Sequence, residues 1–221
     1  MCGRFVSTTP AAAIARMVKA VNPVPNVAPS WKLAPSQQAM VVRRHPKTRE
    51  RHLDLLTWGF VPHWADDLKT ERKPINARAE TVATTPMFRA SFAHNRCLVP
   101  ADAYYEWQAV PDGKQPYAFA RQDGTPMMLA GLWDVWQGTD GVKLRSFTLI
   151  TTDANDVAQP VHDRMPVIVE AESWPLWLGE EDGNARVLLR PAGDAILKTW
   201  PVSRRVNSPA NNDAQLLDEA Q

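Results

Sequence analysis

Cysteine is scarce in this chain, and no metal-binding spacing is present. Cys2 and Cys97 are the only two cysteines in 221 residues. Two cannot make a disulfide framework, and a reducing compartment fits them. There is no CxxC, and the five histidines (His45, His52, His63, His94 and His162) are scattered without HxxxH spacing. A structural zinc site is therefore not expected, nor any other metal or cofactor. No apolar run approaches the ~20 residues needed to cross a bilayer, and no basic segment followed by an apolar one opens the chain, so neither a membrane anchor nor a secretory signal is read. The net charge is only +1. If the protein binds a polyanion, it does so through a local basic patch and not through its overall field. Glycine is sparse beside proline, 10 against 19, which points to short elements with stiff connections.

What is present is ordinary for a globular protein: 44% hydrophobic and 22% charged residues. The length suffices for one well-buried core. Thr9-Pro10 reads as a helix start, and Ile14, Met17, Val18 and Val21 share one helical face up to Asn22-Pro23. Residues 22–36 hold four prolines and read as an ordered surface loop. Met40–Arg43 and Leu53–Phe60 predict a hairpin, followed by a charged loop from Asp66 to Lys73. A short helix is expected around Met87, Phe88 and Phe92. Strands are predicted over Arg96–Pro100, Ala103–Trp107, Tyr117–Arg121, Met127–Val135, Leu144–Thr151 and Val167–Val169, with turns at Asp112-Gly113, Asp123-Gly124 and Asp140-Gly141. Asp153 reads as the cap of a short helix through Val157, and 172–178 and 192–198 as two more. The prediction is a single α+β domain over residues 1–210, mainly antiparallel and barrel-like, with short peripheral helices. The polar, acidic residues 211–221 are expected to be a disordered tail.

The chemistry concentrates at the first residues, Met1-Cys2-Gly3-Arg4-Phe5. Cys2 is small, so methionine aminopeptidase is expected to remove Met1. That leaves an amine and a thiol on adjacent carbons, with ordinary pKa values near ~7.7–8.0 and ~8.5. Such an aminothiol condenses with an aldehyde to an imine, which the thiol closes to a thiazolidine. Glu106, between Tyr105 and Trp107, is a carboxylate that desolvation would suit to proton transfer. Strand alternation would equally place it in water, and the residues alone favour that reading. His162, followed by Asp163-Arg164, is the best-placed histidine for acid–base work, though a surface loop is its simplest setting. Asn76 offers a positioning hydrogen bond or a turn. Arg4, Arg78 and Arg164 would make a phosphate patch if the fold converged them; each alone reads as an ion-pair partner. Pro35 and Trp64 sit on loops where apolar groups can wedge between bases. Cys97, in an apolar strand, reads as structural and inert.

Seven segments in order carry a family resemblance: Met1-Cys2-Gly3-Arg4-Phe5; Leu33-Ala34-Pro35-Ser36; Trp58-Gly59-Phe60-Val61-Pro62-His63-Trp64; Ile75-Asn76-Ala77-Arg78-Ala79-Glu80-Thr81; Arg96 to Asp102 leading to Tyr105-Glu106-Trp107; Thr151 to Asn155 with His162-Asp163-Arg164-Met165-Pro166; and Val206-Asn207-Ser208-Pro209. The chain resembles the SOS response-associated peptidase (SRAP) family of abasic-site processing proteins. It departs at Lys32, where the family usually has Asn, and at Ala103, where Gly is common.

The resemblance implies binding to single-stranded DNA with abasic sites, or to single-strand/double-strand junctions, and a thiazolidine crosslink between Cys2 and the open-chain sugar. It implies that Asn76 holds the adduct, that Glu106 governs protonation of the Cys2 amine, and that His162 acts on the sugar ring oxygen. Arg4, Arg78 and Arg164 would grip phosphates, with Pro35 and Trp64 breaking base stacking. It also implies a monomeric cytoplasmic protein, nucleoid-associated when on DNA. Two alternatives stand beside it: a cysteine-type peptidase using Cys2, at least to release Met1, and a noncovalent reader of single strands and junctions.

Overall fold

A computed structural model of the chain describes residues 2–68, 73–139 and 141–220. Met1, the middle of the charged Asp66 to Lys73 loop and Asp140 of the Asp140-Gly141 turn lie outside these. In chain order come β1 (Arg4–Ser7), α1 (Ala11–Val18), β2 (Ser30–Leu33), β3 (Gln38–Arg44), β4 (Arg51–Trp58), β5 (Asn76–Arg78) and α2 (Arg89–His94). Then follow β6 (Arg96–Ala101), β7 (Ala103–Val110), β8 (Gly113–Arg121), β9 (Met127–Gln137), β10 (Lys143–Asp153), β11 (Arg164–Pro166), α3 (Trp174–Leu178) and β12 (Leu197–Pro201).

Five strands close on themselves in the order β10-β4-β3-β6-β9, with β9 pairing back onto β10 and β5 and β11 attached to β10. Closure leaves the ring without a free edge. The pairs are antiparallel except β4–β10 and β5–β10. A second, open antiparallel sheet runs β12-β8-β7-β1-β2. The α+β, mainly antiparallel architecture is as the sequence predicts.

Barrel strands are buried on both faces. On β6, Cys97 and Val99 face a core shared with Phe5, Tyr104 and Phe119 of the open sheet, while Leu98 packs with Ile14, Val18, Phe92 and Trp177 of the three helices. Successive strand residues point to opposite faces, so one set joins the core shared with the open sheet and the other the core shared with the helices. Gly131 on β9 is required here: a Cβ would lie 2.9 Å from the Thr148 carbonyl oxygen and 3.0 Å from Cys97 Sγ.

The far face of the open sheet packs Val6, Tyr105, Ala118 and Val202 against Leu216. The tail read as disordered is therefore ordered over its described residues. A 3-10 turn at Ala214–Leu217 buries Leu216 completely, and Asn212 Oδ1 accepts from Trp31 N at 2.8 Å and Lys32 N at 3.1 Å. One buried leucine and one bonded amide outweigh a polar composition.

Other expectations shift. Lys19, at φ 55, caps α1 in the left-handed conformation, so Val21 lies beyond the helix and is exposed. Met17 is also exposed, because Ile14, Ala15 and Val18 form the buried face. Asp153 caps no helix; it ends β10 and pairs with Arg164. The ladder expected at Val167–Val169 falls at Arg164–Pro166; the later three make one bridge, Ile168 to Leu129, in which Val169 N donates to the Met128 carbonyl at 2.9 Å and Ala130 N to the Val167 carbonyl at 2.8 Å. All three are buried, and burial produces the same apolar run as a strand.

Candidate functional site

The N-terminal strand sits inside the open sheet, between β2 and β7. Arg4 lies opposite Tyr105 and Phe5 opposite Tyr104. Asp102 fastens its far end: Oδ2 accepts from Thr8 N at 2.5 Å and from Thr9 N at 2.9 Å, and Oδ1 accepts from the Thr9 hydroxyl. Cys2 is fully buried against the shared core. Its Sγ lies 3.9 Å from the Arg4 carbonyl oxygen. Burial first, and the Glu106 charge second, push the thiol well above its ordinary range.

Pairing of β5 with Leu149 of β10 delivers Asn76 to this terminus. Asn76 Nδ2 donates to the Cys2 carbonyl oxygen at 2.9 Å, while its buried Oδ1 has no partner among the described residues. Glu106 is 3% exposed. On β7, Tyr104 and Glu106 point to the inner face, opposite Phe119 and Tyr117 of β8. Tyr105 packs on the other face, where its hydroxyl donates to the Trp31 carbonyl at 3.0 Å. The water-facing reading of Glu106 is thus corrected: the alternation exists, with both faces covered.

Glu106 and His162 meet in a cleft of about 530 Å³, lined also by Trp107, Lys114 and Asn207. Trp107 Nε1 donates to Asn207 Oδ1 at 2.8 Å. His162 Nδ1 lies 3.0 Å from Arg164 N and 2.8 Å from Asp163 Oδ1. One nitrogen cannot accept from the first and donate to the second. The backbone N–H is fixed, whereas the Asp163 side chain is 82% exposed and free to turn. A neutral ring whose Nδ1 accepts from Arg164 N has its proton on Nε2.

The cations divide. Arg78 is exposed two residues from Asn76, and Arg4 Nη1 donates to the Gly3 carbonyl at 2.6 Å. Arg164 is committed elsewhere: Nη1 donates to Glu80 at 2.6 Å and Asp153 at 2.8 Å, Nη2 to Glu80 at 3.0 Å and the Thr151 carbonyl at 2.7 Å. That guanidinium holds Glu80 below the usual carboxylate range. Lys32 is buried near Arg4, and its Nζ donates to the Ser208 carbonyl. Burial and the Arg4 charge push its ammonium down.

Pro35 is half-buried in the turn after β2, beside Ser36 at φ 70, whose N–H donates to the Trp58 carbonyl at 2.8 Å. Trp64 is 49% exposed on the loop that leaves β4. The neighbouring His63 Nδ1 lies 2.8 Å from the buried Asp134. Trp107, Lys114 and Asn207 were given no role from sequence. Trp107 and Asn207 lie within motifs, but nothing local marks Lys114. Among the described residues no cluster of three or more His, Cys, Asp or Glu is arranged to hold a metal ion, and no helix is long and apolar enough to cross a membrane.

A family model described as SOS response associated peptidase (SRAP) matches residues 1–209. The chain belongs to this family. It is 34% identical over 224 residues to the abasic site processing protein YoqW of Bacillus subtilis, covering 99% of each chain. It is 30% identical over 228 residues to YedK of Escherichia coli, also named an abasic site processing protein, covering 98% of this chain and 99% of that one. A crystal structure of a Bacteroides thetaiotaomicron protein superposes with a TM-score of 0.90 at 22% identity, covering all of both chains, and shows the same fold again.

Proposed function

We propose that this protein captures abasic sites in single-stranded DNA as a covalent thiazolidine on Cys2, shielding the lesion. The observation that carries the reading is the convergence on Cys2 of the Asn76 amide and the buried Glu106 carboxylate. The names of the relatives support abasic sites as the substrate.

After loss of Met1, the Cys2 amine attacks C1 of the open-chain sugar. The carbinolamine expels one water to give the imine. Sγ then adds to the imine carbon, and the thiol proton passes to nitrogen, closing the five-membered ring. Glu106 accepts and returns the proton carried by the amine. His162 Nε2 donates to the sugar ring oxygen as it opens. Asn76 holds the Cys2 carbonyl through Nδ2, and its Oδ1 accepts from the adduct. Arg4 and Arg78 contact phosphates, Pro35 and Trp64 separate the flanking bases at a single strand or junction, and Arg164 positions His162 through its backbone N–H. The protein acts as a cytoplasmic monomer that joins the nucleoid on DNA. A cysteine peptidase needs the thiolate, and the burial that raises the Cys2 thiol works against it.

The test uses protein shown by intact mass to lack Met1, mixed with a single-stranded oligonucleotide bearing one abasic site. A denaturing gel should show a shifted band with the lesion and none with the undamaged strand or with Cys2→Ala. Absence of the band from correctly processed protein, or its persistence in Cys2→Ala, overturns the mechanism.

A further inference from the structure

Among the described residues that line the cleft joining Glu106 to His162, Lys114 is the one lysine or arginine. Lys114 is exposed at the start of β8, beside the Gly113 turn of the β7–β8 hairpin. It has no ion pair among the described residues. Arg164, the cation expected from sequence next to His162, has all four Nη hydrogens directed at Glu80, Asp153 and the Thr151 carbonyl. Contact between its Nη groups and a ligand would require breaking that set.

A phosphodiester brought to this cleft meets the Glu106 carboxylate, a like charge in a confined space. An uncommitted cation in the same wall offsets that repulsion and steers an anionic ligand inward. An ammonium on a flexible four-carbon stem follows a phosphate wherever the strand settles. We propose that Lys114 is a phosphate-binding residue for the nucleotide held over the Cys2 terminus. This rests on the single-strand reading above.

The experiment measures binding of an undamaged single-stranded oligonucleotide across a salt series for wild type, Lys114→Ala, Lys114→Arg and the exposed control Lys47→Ala. Loss of one phosphate contact should lower the slope of log K against log salt by about 0.7. Lys114→Ala should show that drop with unchanged melting temperature, Lys114→Arg should restore the slope, and Lys47→Ala should match wild type. A wild-type slope in Lys114→Ala overturns the assignment and leaves the capture reading standing. Absence of binding by wild type itself overturns both.

Discussion

The floor of the site and its rim are held by different physics. The floor consists of Cys2, just before β1, Asn76 on β5, and Tyr104 and Glu106 on β7, all largely shielded from water. Its positions are fixed by strand register and its electrostatics by desolvation. The rim consists of Arg78, Lys114, Trp64 and Pro35, on strand ends and loops and half or fully exposed. Its charges act through water and are screened by salt. Floor changes should therefore register in chemistry and pH dependence, and rim changes in affinity and salt dependence. Arg164 interrupts the division: assigned to the rim by its type, it is tied into the fold by its bonds.

The largest expected effect tests how dry the floor and the core around it are. Burial raises the thiols of Cys2 and Cys97 and the Tyr104 phenol. The folded chain keeps protons that the unfolded chain begins to lose near ~8.5 for a thiol. The stability these groups contribute is thus complete below that pH and falls as pH rises above it. Each thiol should cost about 1.4 kcal/mol per pH unit, so the pair should cost about 4 kcal/mol by about pH 10. Urea denaturation at stepped alkaline pH measures this. Cys97→Ser should remove about half of the thiol slope, and a flat profile would mean that water reaches both thiols.

Next comes Arg164. Its replacement by Gln strands Glu80 and removes the donor to the Thr151 carbonyl, costing about 2 kcal/mol of stability. The salt slope for DNA should not change. Arg78→Glu should do the reverse, moving stability by less than ~0.5 kcal/mol while lowering single-strand affinity severalfold. Equal stability losses in the two variants would erase the distinction between a fold-bound and a rim arginine. Asn76→Ala is smaller: losing the bond to the Cys2 carbonyl is worth about 1 kcal/mol. It should slow lesion capture about fivefold at unchanged affinity for the undamaged strand. Weakened undamaged-strand binding would move Asn76 to the rim.

Local patterns in the sequence made the barrel legible. Alternating or continuous apolar runs with Asp-Gly turns located β3, β4, β6, β7, β8, β9 and β10. The short strands β1, β2 and β5 gave no such signal, and where a helix is expected over 192–198 the chain makes a 3-10 turn at Asp194–Ile196 and then β12. Each of these strands is three to five residues long; β1, β5 and β12 pair with the long strands β7, β10 and β8, and β2 pairs with β1. The site depends on two of them, β1 and β5, so its convergence was invisible to periodicity and reached only through motif resemblance. Glu106 shows the limit sharply: alternation was visible, but not that both faces of β7 are covered. Arg164 shows another, since its carboxylate partners come from residue 80 and residue 153, a long-range pairing that composition cannot report.

The smallest predicted effect is the sharpest probe of the floor. Tyr104 is fully buried and stacked on Phe119 with ring centroids 4.8 Å apart, and its hydroxyl has no partner among the described residues. An unpartnered buried hydroxyl is a liability, so Tyr104→Phe keeps the stack, removes the liability and should leave stability unchanged or raise it by up to about 1 kcal/mol. A loss greater than that in thermal or urea unfolding would mean that the hydroxyl is bonded in solution, through water or a shifted Glu106. If stability holds while lesion capture slows, the hydroxyl serves the adduct and not the resting fold. Tyr104 would then join Asn76 as a floor residue whose free polar atom waits for the sugar.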